Sequence, residues 1–447
     1  MRNRIYFSLL AGVLAVGAAQ TQTPGGALTL SEAIRIGLER RAELDAGQAN
    51  VAAALSAVRQ ADVGPNPVLS LETENWRFHG SPGFSAKRDL TVFAVVSQRI
   101  ETGGKRRLRT ARAQANARIA EIEQAGVEWA VRQAVKKAYW QALAAQQRET
   151  LLTASLESAG ELTRYHEVRW REGASAEADW IKVRLEQDKV NAAVTAASLQ
   201  AEQARLELLR QIGETVFATT IKLRDEPLAA PLTVASREPP LGQWTEAAIA
   251  SRAEIRLQQA LVESATATVL VAQAAAKPDV TPYLGYKKAG RFSTLVGGVS
   301  LPLPVRDRNK GRIDQTQSLE LRQRANLRRA MAQVRGEVAY AAAALRKRGE
   351  LLESLRTGMT SRALETYEIA QAAYREGAVD LLYLLDARRS YNDIALLRSQ
   401  ALYDYQLSWL ELETAVGVEL GGESTKDLAM AQPPGAAHHA PAARGGK

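Results

Sequence analysis

Cysteine is absent from the 447 residues. Its absence excludes disulfides, thiolate-held metals and a lipid-bearing N-terminal cysteine. Histidine and methionine are scarce, at four residues each, so no cage of imidazole or thioether ligands for a cation stands out. The 15 prolines leave two long windows empty, 83–226 and 305–432. An interior proline costs a helix about 3 kcal/mol, and both windows are rich in Ala, Leu, Gln, Glu, Lys and Arg, so each reads as very long helix. Long apolar runs are missing except for Ile5 to Val16, which is too short to span a bilayer as a helix. Single-sign charge blocks are missing as well. The formal net charge is +9, but basic and acidic residues interleave at helical spacing, which describes solvated helix faces and speaks against nucleic acid as a partner. No Ser/His/Asp or paired-carboxylate grouping stands out, so the chain is not read as an enzyme and no cofactor or metal site is assigned.

The N-terminus carries Arg2 and Arg4, the apolar run and then Gly17-Ala18-Ala19. That order is the pattern of a secretory signal peptide, assigned to residues 1–19. Beyond it, the chain repeats itself. Trp170-Arg-Glu-Gly-Ala174 recurs as Tyr374-Arg-Glu-Gly-Ala378, 204 positions later, and Gly213 recurs as Gly417 at the same offset. Arg41-Ala42-Glu43 recurs as Arg252-Ala253-Glu254, and Pro67 as Pro278, at an offset of 211. Ala138-Tyr139 matches Ala339-Tyr340 at 201. We read residues 30–213 and 243–417 as two copies of one unit, joined by a proline-bearing segment 214–242 and followed by a disordered tail 421–447. The His438-His439 pair in that tail reads as composition and not as a metal site.

Within the first copy, Thr29 and Glu32 form a capping box that opens a helix from about Ser31 to Val63, ended by Gly64-Pro65-Asn66-Pro67. The period then changes from 3.6 to 2. Leu69 and Leu71 alternate with Ser70, Glu72 and Glu74, and Leu90, Val92, Ala94 and Val96 alternate in the same way. Val280 to Tyr286 and Leu295 to Leu301 give weaker counterparts. These are four strands of about 9 to 11 residues, the length that crosses a bilayer. Four strands cannot close a membrane barrel alone, so other subunits must complete it. The six apolar residues of the first pair are expected to face lipid. The first strand connection, Phe78 to Lys87, should be longer than the second, Lys287 to Phe292.

Gly103-Gly104-Lys105 suggests a phosphate loop, but the first glycine and the following Ser/Thr of that motif are missing, so a strand-to-helix bend is the better reading. The run from Lys105 to Trp170 would then be a helix about 100 Å long. Gly173 breaks it, and a return helix runs from about Asp179 to Ile212 with Val190, Val194, Ala197, Ala201, Ala204 and Leu208 as a coiled-coil seam. The matching seam from Ile394 to Leu412 carries Arg398 and Ser408, which predicts a looser, partly wet contact. Gly173 and Gly377 are the hairpin corners, each supplying a left-handed turn residue.

With these features in hand, the chain resembles the TolC-type outer-membrane efflux protein family. The resemblance rests on Leu28-Thr-Leu-Ser-Glu-Ala33, Pro65-Asn66-Pro67, Gln98-Arg-Ile-Glu-Thr-Gly-Gly-Lys-Arg106 and Leu385-Asp386-Ala387-Arg388. The Pro-Asn-Pro and Gly-Gly-Lys-Arg pieces look most like its heavy-metal cation branch. The resemblance implies a mostly α fold with a membrane β-barrel: a homotrimer pooling four strands per protomer into twelve, continued by a periplasmic helical coiled-coil tunnel. It implies a passive duct in the outer membrane of a Gram-negative bacterium, in contact with outer-membrane lipid. A periplasmic adaptor and a proton-driven RND-type inner-membrane pump would be its partners, and the cargo would be heavy-metal cations. A multidrug or type I secretion duct of the same fold is the alternative, and a secreted coiled-coil adaptor or scaffold a more distant one. The resemblance also implies a periplasmic gate. Tyr374 and Asp179 match its inter-hairpin link, Val379 replaces its arginine so that Arg375 is the available substitute, and Asp386 matches a ring of carboxylates whose companion position holds Tyr383.

Overall fold

A computed structural model describes residues 27–214, 221–224 and 241–420. The signal-peptide and tail assignments, and His438-His439 with them, lie outside the described residues, as does most of the segment 214–242.

The chain opens with the expected capping box: the Thr29 hydroxyl accepts from the Glu32 amide, and the Glu32 carboxylate accepts from the Thr29 amide. The single helix expected from Ser31 to Val63 is two helices, α1 (Leu30–Arg40) and α2 (Ala42–Asp62). Arg41 between them is extended because its guanidinium is committed elsewhere, donating to the Gln211 carbonyl at 3.1 Å and pairing with Glu43 at 2.7 Å. The same break recurs where Arg252 separates α6 (Leu241–Ser251) from α7 (Ala253–Ala275). Arg252 donates to the Ala415 carbonyl and pairs with Glu254 and Glu337. Gln211 and Ala415 are themselves 204 apart, so each arginine holds the far end of its own return helix.

Gly213 and Gly417 close those return helices at φ +78° and +82°. A Cβ at Gly417 would lie 2.8 Å from the Arg252 Cγ. Gly417→Ala therefore combines a left-handed alanine, about 1 to 2 kcal/mol, with displacement of the arginine clamp. The expected result is a lower melting temperature for the detergent-solubilised protein, whereas Gly64→Ala, which meets no atom within 4 Å, leaves it near the parent. Equal melting of the two variants would refute the clamp.

Four antiparallel strands form one sheet in the order β1 (Val68–Glu74), β2 (Thr91–Ser97), β3 (Thr281–Ala289), β4 (Phe292–Ser300). The first pair is seven residues per strand and the second nine, shorter than 9 to 11 for the first pair. Leu90 is outside the strand: its amide donates to the Ala86 carbonyl, closing the short helix α3 (Ala86–Asp89). That helix is pinned by Asp89, which accepts from the Ser85 amide and from Arg88, both at 2.9 Å. The connection from β1 to β2 spans residues 75–90, whereas Gly290 and Arg291 alone join β3 to β4, so the first connection is the longer as expected.

Below the sheet, α4 (Lys105–Arg171) descends for 67 residues, against 66 expected, and α5 (Glu177–Gln211) returns along it. In the second half, α8 (Lys310–Ser354) continues through a π-helical turn at Leu355–Met359 into α9 (Thr360–Arg375), and α10 (Leu381–Val416) returns. Each half centres a core of its own, the first also taking in Tyr403 from α10. Val135, Tyr139, Leu143, Leu208 and Ile212 centre the first; Val338, Leu345, Leu355, Tyr405 and Leu412 centre the second. The seam on α5 buries Ala197, Ala201 and Leu208, with Val190, Val194 and Ala204 partly covered. Its counterpart on α10 is drier than expected: Ala401, Tyr405, Ser408 and Leu412 are buried, and only Arg398 is exposed. The Ser408 hydroxyl is satisfied, accepting from Arg348 at 2.6 Å and donating to the Asp404 carbonyl at 2.6 Å, so it enters the core without an unpaired polar group. One anchor of the repeat fails. Tyr139 is fully buried and donates to the Leu28 and Arg224 carbonyls, whereas Tyr340 is 77% exposed, so the two are not equivalent positions.

Candidate functional site

The sheet and the hairpin corners hold the residues singled out from sequence. In the sheet, the register puts Leu71 opposite Ala94, Ala94 opposite Tyr286 and Tyr286 opposite Leu295. Leu69, Val96 and Leu284 form the next row on the same face, and Val92 lies between Thr73 and Lys288 one row the other way. Directly paired residues of antiparallel strands share a face, so Leu69, Leu71, Val92, Ala94 and Val96 are brought together, and Leu90 is not. The face is bare: Leu69, Leu71, Leu284, Leu295 and Val299 are all exposed. Ser70, Glu72 and Glu74 occupy the opposite face with Phe93, Val95 and Lys287.

The two corners share a backbone. At the first, the Gly173 amide donates to the Trp170 carbonyl and the Ala174 amide to the Arg169 carbonyl; at the second, Gly377 donates to Tyr374 and Ala378 to Ala373. Both are Schellman closures with the glycine left-handed, φ +74° at Gly173 and +76° at Gly377. The second return helix is capped by Asp380, whose carboxylate accepts from the Tyr383 amide at 2.9 Å; the first has no side-chain cap.

The aromatic residue ahead of each corner does a different task. Trp170 stacks on Trp180 of its own return helix, centroids 4.7 Å apart and planes at 6°. Tyr374 instead leaves its hairpin, its hydroxyl lying 3.3 Å from Nε2 of His166 on α4. His166 is 1% exposed, its Nδ1 has no partner among the described residues, and Tyr165 meets its ring edge-on at 5.5 Å. Burial lowers the His166 pKa below its ordinary value and Arg169 adds to the effect, while Asp179 opposes it. Burial also raises the Tyr374 pKa, so both groups are neutral together near neutral pH.

The structure does not bring Tyr374 and Asp179 into a hydrogen bond. Asp179 stands 3.9 Å from Lys182 at the start of its own helix, and Arg375 and Asp386 point to solvent. Further links between the hairpins went unseen in the sequence. Arg388, nearly buried, donates to the Ser155 carbonyl at 3.0 Å, Asn392 to the Ser155 hydroxyl at 2.9 Å, and Arg389 pairs with Glu186 at 3.0 Å. For His166 a signal did exist. The 204-residue offset sets it against Ala370, a fully buried alanine, so the repeat itself marks a histidine placed at a core position. Among the described residues no group of three His, Cys, Asp or Glu could hold a metal ion, and no helix is long and apolar enough to cross a membrane.

The profile of the family described as Outer membrane efflux protein matches residues 33–214 and 244–418. The cobalt-zinc-cadmium resistance protein CzcC of Cupriavidus metallidurans is 28% identical over 381 residues, covering 82% of this chain and 84% of that one. Among solved structures, the outer-membrane channel OprN superposes with a TM-score of 0.72 at 22% identity, over 88% of this chain and 90% of the other. CusC, described in terms of folding and transmembrane channel formation, superposes with a TM-score of 0.71 at 18% identity, over 87% and 92%. At these identities the superpositions speak for the fold.

Proposed function

Because the chain belongs to the outer membrane efflux protein family, we propose that three copies form a duct through which heavy-metal cations leave the cell. It is a transport protein of the outer membrane and not an enzyme. The observation that carries the duct is the sheet: among the described residues, four strands with one bare apolar face and two unpaired edges, β1 and β4. Open edges are not tolerated in hydrocarbon, and β4 runs antiparallel to the β1 of a neighbouring copy, so three sheets closing edge to edge give a barrel of twelve strands. Each half, 30–213 and 243–417, contributes two strands and one hairpin, and the six hairpins line a tunnel below. Leu69, Leu71, Val92, Ala94 and Val96 then meet lipid, Gly173 and Gly377 ring the tunnel's inner end, and Asp386 supplies one carboxylate per copy to its wall. A periplasmic adaptor and a proton-driven inner-membrane pump complete the path, since a duct with no energy source of its own must be loaded by one.

Similarity to a cobalt-zinc-cadmium resistance protein favours divalent metal as the cargo. Deleting the gene in its native host and growing the strain on metals and on drugs tests this. Sensitivity to cobalt, zinc or cadmium should rise while drug tolerance stays unchanged. Sensitised growth on drugs alone would replace the metal reading with that of a multidrug duct.

A further inference from the structure

Where the sheet meets the helices, a cleft of about 650 Å³ opens between α2 and α4. Its floor is apolar and small, with Ala54, Ala57 and Ala61 on successive turns of α2. Arg99, Arg109 and Arg112 stand over it, with Glu101 as the one acidic residue of the lining. Arg109 is spent on architecture. It grips Glu101 at 2.6 Å and donates to the Ala61 and Val63 carbonyls, fixing the end of α2 to α4. Arg99 and Arg112 have neither an ion pair nor a side-chain hydrogen bond among the described residues, and Arg112 is half-buried. Glu101 and Asp279 lie within electrostatic reach of Arg99 but are paired to Arg109 and Lys105, so among the described residues two guanidinium groups per chain line the same cleft without an ion-pair partner of their own.

The side of the wall follows from the strand. The Gln98 amide bonds the Pro282 carbonyl and Ile100 bridges Val280, so the ladder continues past Ser97 and alternation holds. Ile100 prolongs the apolar row of Val96 and is exposed, whereas Arg99 prolongs the opposite row of Phe93, Val95 and Ser97. On the duct reading, on which this inference rests, that opposite face is the lumen.

We infer that this cleft is an anion site in the throat of the tunnel, taking a small multivalent oxyanion of the phosphate class. Guanidinium forks match such anions in two-point fashion, and three copies place six of them around one passage. A throat occupied by oxyanions is neutralised, and divalent cations then pass it without repulsion.

The test pairs a binding measurement with a current. Purified protein in phospholipid-free detergent is titrated with inorganic phosphate and followed by phosphorus NMR line broadening. The same protein in planar bilayers is tested for a phosphate-dependent change in conductance. Arg99→Gln with Arg112→Gln should weaken phosphate binding by about a hundredfold, two charge-assisted contacts being lost at about tenfold or more each, and abolish the effect on current. Arg99→Lys with Arg112→Lys should restore part of both. Binding that is undetectable, or equal in parent and glutamine variant, overturns the site. Arginine-dependent binding with no effect on current through open channels overturns its luminal position. So does co-purified anionic phospholipid that is lost from the glutamine variant, which would make the ligand a lipid headgroup on the outer side. Arginine-dependent binding by a protein that forms no channels at all would leave the site standing and remove the duct.

Discussion

Leu71→Arg is expected to abolish most of the assembled channel in the outer membrane. Leu71 lies in the row Leu71, Ala94, Tyr286, Leu295, midway along the sheet, and is 71% exposed. An arginine at the midplane of a barrel wall costs about 2 to 4 kcal/mol, and a homotrimer pays that three times over. The penalty fades toward the interfaces. Val92→Arg should therefore be milder, because its row already holds Lys288 and Ser293 and lies next to the connection that leads into β2. Ser70→Arg, one residue away on the opposite face, should assemble almost as the parent does. The amount of oligomer in outer-membrane fractions, and the urea concentration at which the refolded barrel opens, would report the order Leu71 worst, Val92 intermediate, Ser70 least. Should Leu71→Arg assemble as well as Ser70→Arg, the lipid face has been assigned to the wrong side.

That face was legible in the sequence because strand alternation is local: two residues define it, and Leu69 with Leu71 against Ser70 with Glu72 were enough. The long helices were legible for a similar reason, since proline either interrupts a helix or is absent, and the windows 83–226 and 305–432 contain none. The corners were readable from a glycine held behind the same two residues twice. What escaped was set by partners far away in the chain. Arg41 breaks a helix of good helix formers because Gln211 accepts from it, 170 positions on. Leu90 has the pattern of a strand residue but is held as the C-cap of a short helix that Asp89 pins. Ser408 looks like a wet position, and Arg348 makes it a dry one. Tyr139 and Tyr340 share a letter and a neighbour, but only the first has carbonyls within reach. The contact made by Tyr374 was half visible. A tyrosine before the second corner stands out in the sequence, but its partner is His166, and neither period nor motif pairs residues 208 positions apart.

The pairing of Tyr374 with His166 is expected to make the packing of the second hairpin on α4 sensitive to acid, and with it, on the duct reading, the closure of the tunnel. His166 is buried between α4 and the second hairpin, and the charged or titratable groups around it are Tyr165 and Arg169 on its own helix, Asp179 on α5 and Tyr374 on α9. Burial comes first in lowering its pKa, Arg169 reinforces it, and the more distant Asp179 does not reverse the sign. Above about pH 6.5 the imidazole is neutral whether the hairpins are packed or apart, and the contact has its full strength. Below that value the separated state takes up a proton that the packed state refuses. Packing then weakens by up to about 1.4 kcal/mol per pH unit until the depressed pKa is reached and the imidazolium forms in place. Conductance of single channels should accordingly rise as the periplasmic side is acidified from pH 7 toward 5. His166→Phe keeps an aromatic ring in the pocket but has no proton to gain, so its conductance should be flat over the same range. Tyr374→Phe loses one hydrogen bond, about 0.5 to 1.5 kcal/mol, and should open more at pH 7 while retaining the acid response, because the histidine remains buried. Asp179→Ala, which removes no bond to Tyr374, should leave the conductance at pH 7 close to the parent value. Asp386→Ala should act on a different quantity, weakening block by multivalent cations without changing the pH response. An acid response that survives His166→Phe would place the switch in another group, and a rise in conductance for Asp179→Ala as large as that for Tyr374→Phe would return the latch to the carboxylate.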